Sequence, residues 1–109
     1  MKPIGTERIR GMLGLAMRAG KLVVGTEMIC RAMPKGEAQL VVISCGASDG
    51  TKRKLSYKCE FYSIDIVEVD IDTEELGRLL GKTYTPAAVA VTDCGIAEQI
   101  KEAYYASKQ

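Results

Sequence analysis

The order of helical and strand patterns along the chain limits the folds open to it more than any other feature. Two continuous apolar runs of strand length, residues 40–45 and 87–92, have the pattern of strands buried on both faces of a central sheet. A shorter run at 22–24 and an alternating one at 64–69 predict two further strands. Segments with helically spaced apolar residues precede, separate and follow these strands. The predicted order is therefore α-β-α-β-α-β-α-β-α.

Capping residues stand where this order requires the helices to begin. Side chains that can accept a hydrogen bond from a free helix N–H are found at Thr6, Thr26, Ser48 or Asp49, Asp72 and Asp93. Helices that alternate with strands imply a parallel or mixed sheet that is covered on both faces. The sequence therefore predicts an α/β fold, a three-layer α/β/α sandwich with a central mixed four-stranded sheet. We expect residues 1–109 to form a single domain, because this length is typical of one.

The residue types present argue against an enzyme and against a metal site. The chain has no histidine, which excludes Ser-His and Cys-His nucleophile pairs and removes the commonest general base. Its four cysteines lack the close pairing of zinc ligands, so we expect buried free thiols, above all at Cys45 and Cys59. The acidic segment 68–75 lacks the spacing of a calcium loop. We expect no catalytic residue, no metal and no cofactor.

The distribution of apolar residues also predicts the cellular location of the protein. No apolar run approaches the roughly 20 residues that a membrane span needs. Near the N-terminus, Glu7, Arg8 and Arg10 interrupt what would otherwise be the apolar core of a signal peptide. We expect a cytoplasmic protein that does not bind membranes.

Charge is distributed unevenly along the chain. Residues 1–58 hold 11 Lys and Arg against 4 Asp and Glu, a net charge of +7, whereas residues 59–109 hold 4 against 10, a net charge of −6. If the fold separates the two halves, one face of the protein suits a polyanion. If both halves share one sheet, the charges interleave, and the pattern alone does not decide between these arrangements.

Two glycine-containing segments are candidates for phosphate-binding loops. Residues 77–83 are one residue short of a P-loop and lie at the end of a predicted helix, so Gly81 is better explained as a helix C-cap. The loop between Gly46 and Gly50 lies between a buried strand and a helix, where open α/β sheets bind ligands. A turn and an N-cap explain the same residues. A small nucleotide-binding domain that uses this loop is one alternative function.

The turn after the first strand is a further candidate for anion binding. The strand stops at Gly25, and a helical pattern follows from Met28. The start of a helix presents free N–H groups and the positive end of the helix dipole, and both attract anions. Basic residues flank the turn on both sides, at Arg18, Lys21, Arg31 and Lys35.

A basic run, residues 52–54 with Lys58, lies on the third predicted helix opposite its apolar positions. A solvated helix face is the ordinary explanation of such a run. Phosphate contacts become the better explanation if Lys21, Arg31 and Lys35 lie on the same side. The six aromatic residues provide no evident platform for stacked bases, and Tyr84 is the one aromatic without an evident core position.

Three blocks of the chain, residues 12–26, 38–43 and 86–93, resemble the ribosomal L-seven-Ae family, and its small bacterial members most closely. The blocks stand in the family's order and with its spacing, over nearly the whole chain. The resemblance implies an α/β/α sandwich that catalyses no reaction and binds RNA, at kink-turns or in other structured or ribosomal RNA. Ribosomal or other protein partners are a further implication.

The family's RNA surface joins the start of the second helix to the loop before the last strand. Carried over by resemblance, the RNA-binding residues are Lys21, Gly25, Thr26, Glu27, Met28 and Arg31, together with Thr83, Tyr84, Thr85, Pro86 and Ala87. In this assignment Gly25 lets the RNA backbone approach, Arg31 occupies the position of a basic residue, and the loop packs against a flipped-out nucleotide.

The chain departs from the family pattern at two of these positions. Kink-turn binders of the family follow Gly-Thr with Asn-Glu, where this chain has Glu27 and Met28. A carboxylate suits a phosphate-rich groove poorly, and methionine cannot hydrogen-bond a guanine edge as glutamate does. A protein-interaction module that has the same fold and has lost RNA binding is therefore the second alternative.

Overall fold

The computed structural model describes residues 4–107, with side chains from residue 6 onward. Residues 1–3, the start of the segment considered above for a signal peptide, lie outside it. The helices are α1 Ile4–Arg18, α2 Thr26–Ala32, α3 Asp49–Tyr62, α4 Thr73–Leu79 and α5 Cys94–Ala106, and a short 3-10 helix, Met33–Lys35, extends α2. The strands are β1 Leu22–Val24, β2 Leu40–Ser44, β3 Asp65–Val69 and β4 Ala88–Val91. The predicted order of elements is confirmed.

The four strands form one mixed sheet in the order β1-β4-β2-β3. β2 and β3 are parallel, whereas β4 runs antiparallel to both of its neighbours, β1 and β2. Three strands therefore finish at the same end of the sheet, and β4 begins there. We call this the upper end, marked by Gly25, Cys45, Asp70 and Ala87, and the opposite end the lower end.

Helices cover both faces of the sheet, which confirms the three-layer sandwich. On one face α1, α4 and α5 pack with the sheet around Leu13, Leu76 and Ile100, and on the other α2 and α3 pack around Ile29 and Leu55. Every residue of β2 is buried, because its side chains alternate between these two cores. Burying each large aliphatic side chain contributes roughly 1.5–3 kcal/mol.

Three of the predicted caps are confirmed. The side chain of Ser48 accepts a hydrogen bond from the N–H of Thr51 at 3.2 Å, and this fixes Ser48 rather than Asp49 as the cap of α3. Asp72 caps α4 through the N–H of Glu75 at 2.8 Å. The side chain of Asp93 caps α5 in the same way.

The caps predicted at Thr6 and Thr26 are wrong. α1 begins at Ile4, so Thr6 lies inside its first turn. Gly25 is the N-cap of α2, with φ 98° and no side-chain hydrogen bond, and Thr26 is already helical. The chain enters α2 through a conformation that only glycine adopts readily, which displaces the cap by one residue.

The end of α4 explains the near match to a P-loop. The N–H of Lys82 donates to the carbonyl of Gly77 at 2.8 Å, and the N–H of Gly81 donates to the carbonyl of Arg78 at 3.1 Å. With φ 69° at Gly81, this is a Schellman motif that ends a helix. The interpretation of Gly81 as a stop signal is confirmed.

The expectation of buried cysteines holds for Cys59 and is wrong for Cys45 and Cys94, which are exposed. Cys59 lies in the core between α3 and the sheet, whereas β2 ends at Ser44 and leaves Cys45 exposed in the following turn. Burial, followed by the charges of Cys30 and Asp65, raises the pKa of Cys59 to about 11. Partial burial, followed by the nearby carboxylates of the β3–α4 segment, raises the pKa of Cys45 as well.

Thiol labelling should separate these two cysteines. A raised pKa leaves less thiolate at neutral pH, and the thiolate is the nucleophile. We expect Cys45 to react with iodoacetamide more slowly than free glutathione at pH 8, and its rate to keep rising with pH beyond the range in which glutathione levels off. Cys59 should react only when the protein is unfolded. Peptide mass spectrometry of the labelled protein measures both, and rapid labelling of folded Cys59 would contradict its burial.

Candidate nucleic-acid interface

The upper end of the sheet brings the start of α2 next to the loop before β4. The N–H of Gly25 donates to the carbonyl of Ala88 at 3.1 Å, and the N–H of Ser44 donates to the carbonyl of Ala87 at 2.8 Å. Because β4 lies between β1 and β2, these bonds hold its first residues between the ends of the two strands. Residues 25–31 and 83–87, far apart in sequence, therefore form one surface, which we call the upper-end surface.

Gly25 gives this surface an open position. Its φ of 98° and ψ of 145° lie outside the range that L side chains adopt readily. A Cβ built there would meet no heavy atom of the described chain within 4 Å. The backbone conformation, rather than a lack of space, therefore requires glycine at this position. Because the space beside it is open, another molecule can approach the main chain closely.

The first turns of α2 carry an exposed apolar side chain and an exposed ion pair. Met28 is 51% exposed. Arg31 Nη2 lies 3.6 Å from Glu27 Oε1, and the two side chains are 67% and 85% exposed. Exposed helix pairs of this spacing contribute only about 0.3–0.5 kcal/mol. A phosphate can therefore compete with Glu27 for Arg31 at small cost.

The loop before β4 is anchored at its end and exposed in its middle. Thr83, Tyr84 and Thr85 are exposed, whereas Pro86 is buried and Ala87 packs against the core beneath α2 and α3. The ring of Pro86 thus anchors the loop, and Tyr84 is the large side chain that the loop presents to solvent.

Gly77 in α4 lets this loop pack closely against the helix. A Cβ at position 77 would lie 2.6 Å from the carbonyl oxygen of Tyr84 and 3.4 Å from Cδ of Pro86. From the sequence, Gly77 is interpreted only as the start of the near match to a P-loop, and its packing role is missed. The available signal was a glycine inside a helical pattern, which costs about 1 kcal/mol relative to alanine and indicates a packing reason.

Lys21 is the one residue of the predicted RNA-binding set that the structure does not bring to this surface. Its carbonyl accepts a hydrogen bond from the N–H of Thr92, which follows β4, so Lys21 lies at the lower end. Strand β1 separates it from Gly25, and the four residue-to-residue steps of extended chain span roughly 13 Å. Gly36, next to Lys35, lines a concavity with Gly20 and Thr92, which places Lys35 at the lower end too.

The loop between Gly46 and Gly50 also lies at the upper end, but its polar groups are used within the fold. The N–H of Gly46 donates to the buried Oγ of Ser44 at 3.0 Å, and that hydroxyl donates to the carbonyl of Ile71 at 2.6 Å. A Cβ at Gly46 would lie 3.3 Å from the backbone nitrogen of Thr73. Close packing against the start of α4 and the Ser48 cap account for the composition of this loop.

The fold separates the charges of the helices only in part. α2, α3 and the 3-10 helix carry six Lys and Arg against three Asp and Glu, whereas α1, α4 and α5 carry five against five. α1 comes from the basic half of the chain but packs beside the acidic half, and Arg10 pairs with Glu75 of α4. The α2–α3 face is therefore basic, and the opposite face has interleaved charges.

No site for a metal or a membrane span is found in the described part of the chain. Among residues 6–107, no group of three potential metal-ligating side chains converges. None of the helices within residues 4–107 is long and apolar enough to cross a membrane.

The chain belongs to the ribosomal protein L7Ae/L30e/S12e/Gadd45 family, whose family model matches residues 7–101. The family resemblance noted from the sequence is confirmed.

Individual relatives agree with this assignment. The chain is 36% identical over 89 residues to the RNA-binding protein YlxQ of Bacillus subtilis, covering 82% of this chain and 87% of that protein. It is 29% identical over 101 residues to the large ribosomal subunit protein eL30 of Tetrahymena thermophila, covering 93% and 97% of the two chains. The solved structure of the Giardia lamblia 15.5kD RNA binding protein superposes with a TM-score of 0.78 at 17% identity over 98% of this chain and 92% of the other, a likeness of fold.

Proposed function

We propose that this chain is a cytoplasmic RNA-binding protein without enzymatic activity, and that the upper-end surface is its RNA interface. The observation that carries the proposal is the pairing of Gly25 with Ala88, which joins the start of α2 to the loop before β4. Relatives named as an RNA-binding protein and as a ribosomal subunit protein support RNA as the partner and the cytoplasm as the location.

The side chains of the upper-end surface favour shape and phosphate recognition over reading of base edges. Arg31 supplies a cation that leaves its weak pair with Glu27 at small cost. Exposed Met28 and Tyr84 supply apolar and aromatic area against which a displaced nucleotide can pack. Met28 cannot hydrogen-bond the edge of a base as glutamate does, and the carboxylate of Glu27 can only accept hydrogen bonds from one. The proposed target is a structured RNA with a distorted backbone, such as a kink-turn in ribosomal RNA.

The choice of RNA can be tested by comparing a kink-turn RNA with an unkinked duplex of the same length in a filter-binding assay. Tighter binding of the kink-turn is expected. Equal binding of both would contradict kink-turn recognition while leaving general RNA binding in place. Protein partners that are retained in a pull-down after nuclease treatment, with no binding of either RNA, would instead favour a protein-interaction module.

Arg31→Ala tests whether the upper-end surface meets phosphates. Loss of one phosphate contact should weaken binding and reduce the slope of log affinity against log salt concentration by about one. The matched control is Lys21→Ala, which removes the same charge at the lower end. The family resemblance assigns Lys21 to the interface, whereas its distance from Gly25 leads us to expect an unchanged slope. An unchanged slope in Arg31→Ala would contradict the proposed interface.

A further inference from the structure

The solvent face of α3 carries two aromatic side chains that no core position explains. Tyr57 is 73% exposed and Phe61 is 71% exposed, and their spacing of four residues places them on the same side of the helix. Phe61 touches Tyr62 edge-on, with ring centroids 4.9 Å apart. The sequence-based view that Tyr84 is the one aromatic without a core position is therefore wrong. Leu55, Cys59 and Tyr62 account for the apolar stripe of α3, and these rings lie outside it.

Three cations lie with Tyr57 on this face of α3, and these cations have no carboxylate partner within the described chain. Arg53, Lys54 and Lys58 form no ion pair with any residue between 6 and 107, whereas Lys52, on the same helix, pairs with Glu68. A shallow, mainly apolar concavity of about 480 Å³ lies on this face. It is lined by Gly50, Arg53, Lys54, Tyr57 and Lys58. Glu60 is the carboxylate beside the two rings, and it lines a neighbouring hollow with them.

The position of α3 connects this face to the upper-end surface. α3 begins just after the end of β2 at the upper end and packs on the same face of the sheet as α2. From Gly50 to Phe61 the helix rises roughly 16 Å. A strand leaving the upper-end surface would thus meet the cations of the first turns before it reaches Phe61.

We propose that the exposed face of α3 binds a single-stranded RNA segment continuous with the RNA held at the upper-end surface. Tyr57 and Phe61 stack on bases, and Arg53, Lys54 and Lys58 contact phosphates. The continuity of this segment with the RNA at the upper-end surface rests on the proposed function. The contact itself rests on the aromatic and basic residues of α3. Cations without a carboxylate partner in the described chain, beside exposed rings, complement a polyanion that also offers flat apolar faces, and every base offers such a face.

The first test compares a structured RNA with the same RNA carrying an unpaired extension. The wild-type protein should bind the extended RNA about tenfold or more tightly than the blunt one, in line with the stacking of one or two bases. The double variant Tyr57→Ser, Phe61→Ser should lose this gain and bind the blunt RNA as the wild type does. Tyr105→Ser, which removes an exposed ring from α5 on the opposite face, is the matched control and should keep the gain. A gain that survives in the double variant, or is lost equally in Tyr105→Ser, overturns the inference.

The second test separates this inference from the proposed function. The chain has no tryptophan, so Phe61→Trp introduces a single fluorescent reporter on α3. An unstructured oligonucleotide should quench it, with an affinity that falls several-fold when Arg53 and Lys54 are also replaced by Gln. Quenching without binding of any structured RNA contradicts the upper-end interface and supports the α3 contact. Binding of structured RNA with no quenching and no gain from the extension overturns the α3 contact alone.

Discussion

Gly77→Ala is expected to lower the free energy of unfolding by about 1–3 kcal/mol, the usual cost of overpacking. Alanine inside a helix ordinarily stabilises by about 0.5–1 kcal/mol relative to glycine. Here the added Cβ would stand 2.6 Å from the carbonyl oxygen of Tyr84, a backbone atom that cannot rotate away. The loop before β4 must therefore move, and we expect weaker RNA binding as well. Urea unfolding and filter binding measure the two effects.

The control for this variant is Gly14→Ala in α1. The Cβ at position 14 would lie 3.7 Å from Nη1 of Arg18, an ordinary contact with the end of a flexible side chain. This substitution should stabilise the protein by about 0.5–1 kcal/mol and leave RNA binding unchanged. If Gly77→Ala were as stable as Gly14→Ala, the loop would not be held against α4 as the structure shows.

Gly25→Ala is expected to destabilise the fold by about 1–3 kcal/mol through backbone strain alone. The residue has φ 98° and ψ 145°, and the space above it is open, so no steric clash contributes. The new methyl group would stand on the upper-end surface, where the RNA backbone is proposed to approach. RNA affinity should therefore fall at temperatures at which the variant is fully folded, as followed by circular dichroism and filter binding.

Gly20→Ala is the control that separates the effect of backbone strain from the effect of a methyl group on the RNA interface. Gly20 also has a positive φ, 70°, with no heavy atom of the described chain near its Cβ position, but it precedes Lys21 at the lower end. The Gly20→Ala substitution should lower the free energy of unfolding by about 1–2 kcal/mol and leave RNA affinity unchanged. Equal RNA affinities for folded Gly25→Ala and the wild type would place the RNA elsewhere on the molecule.

Much of the fold could be predicted because its signals are local. The apolar runs of β2 and β4 reflect burial on both faces of a sheet, and the caps Ser48 and Asp72 each bond to an N–H only three residues away. The errors have a physical pattern as well. The cap at Thr26 was misplaced because the conformation of Gly25 decides it, and Cys45 was expected in the core because the end of β2 was set one residue too late.

The residues of the candidate site could be predicted only where the family resemblance indicated them. The resemblance points to Lys21, residues 25–28, Arg31 and residues 83–87, and their assignment to RNA is a proposal. The packing role of Gly77 is not evident from the sequence, because it depends on the loop before β4, which packs against this glycine in the folded protein. The exposure of Tyr57 and Phe61 is not evident from the sequence either. The helical spacing of apolar residues indicates the buried stripe of α3 and gives no information on apolar residues outside that stripe.

The sequence by itself determined the elements, most of their ends and the three-layer architecture, because these depend on side chains a few residues apart. Only the tertiary structure decided which of these elements meet. The antiparallel placement of β4 beside β1 joins residues more than 60 positions apart. It sets Gly25 beside the loop before β4 while leaving Lys21 at the opposite end. The order of the strands results from the packing of the whole sheet against both helix layers, and no local sequence pattern predicts that order.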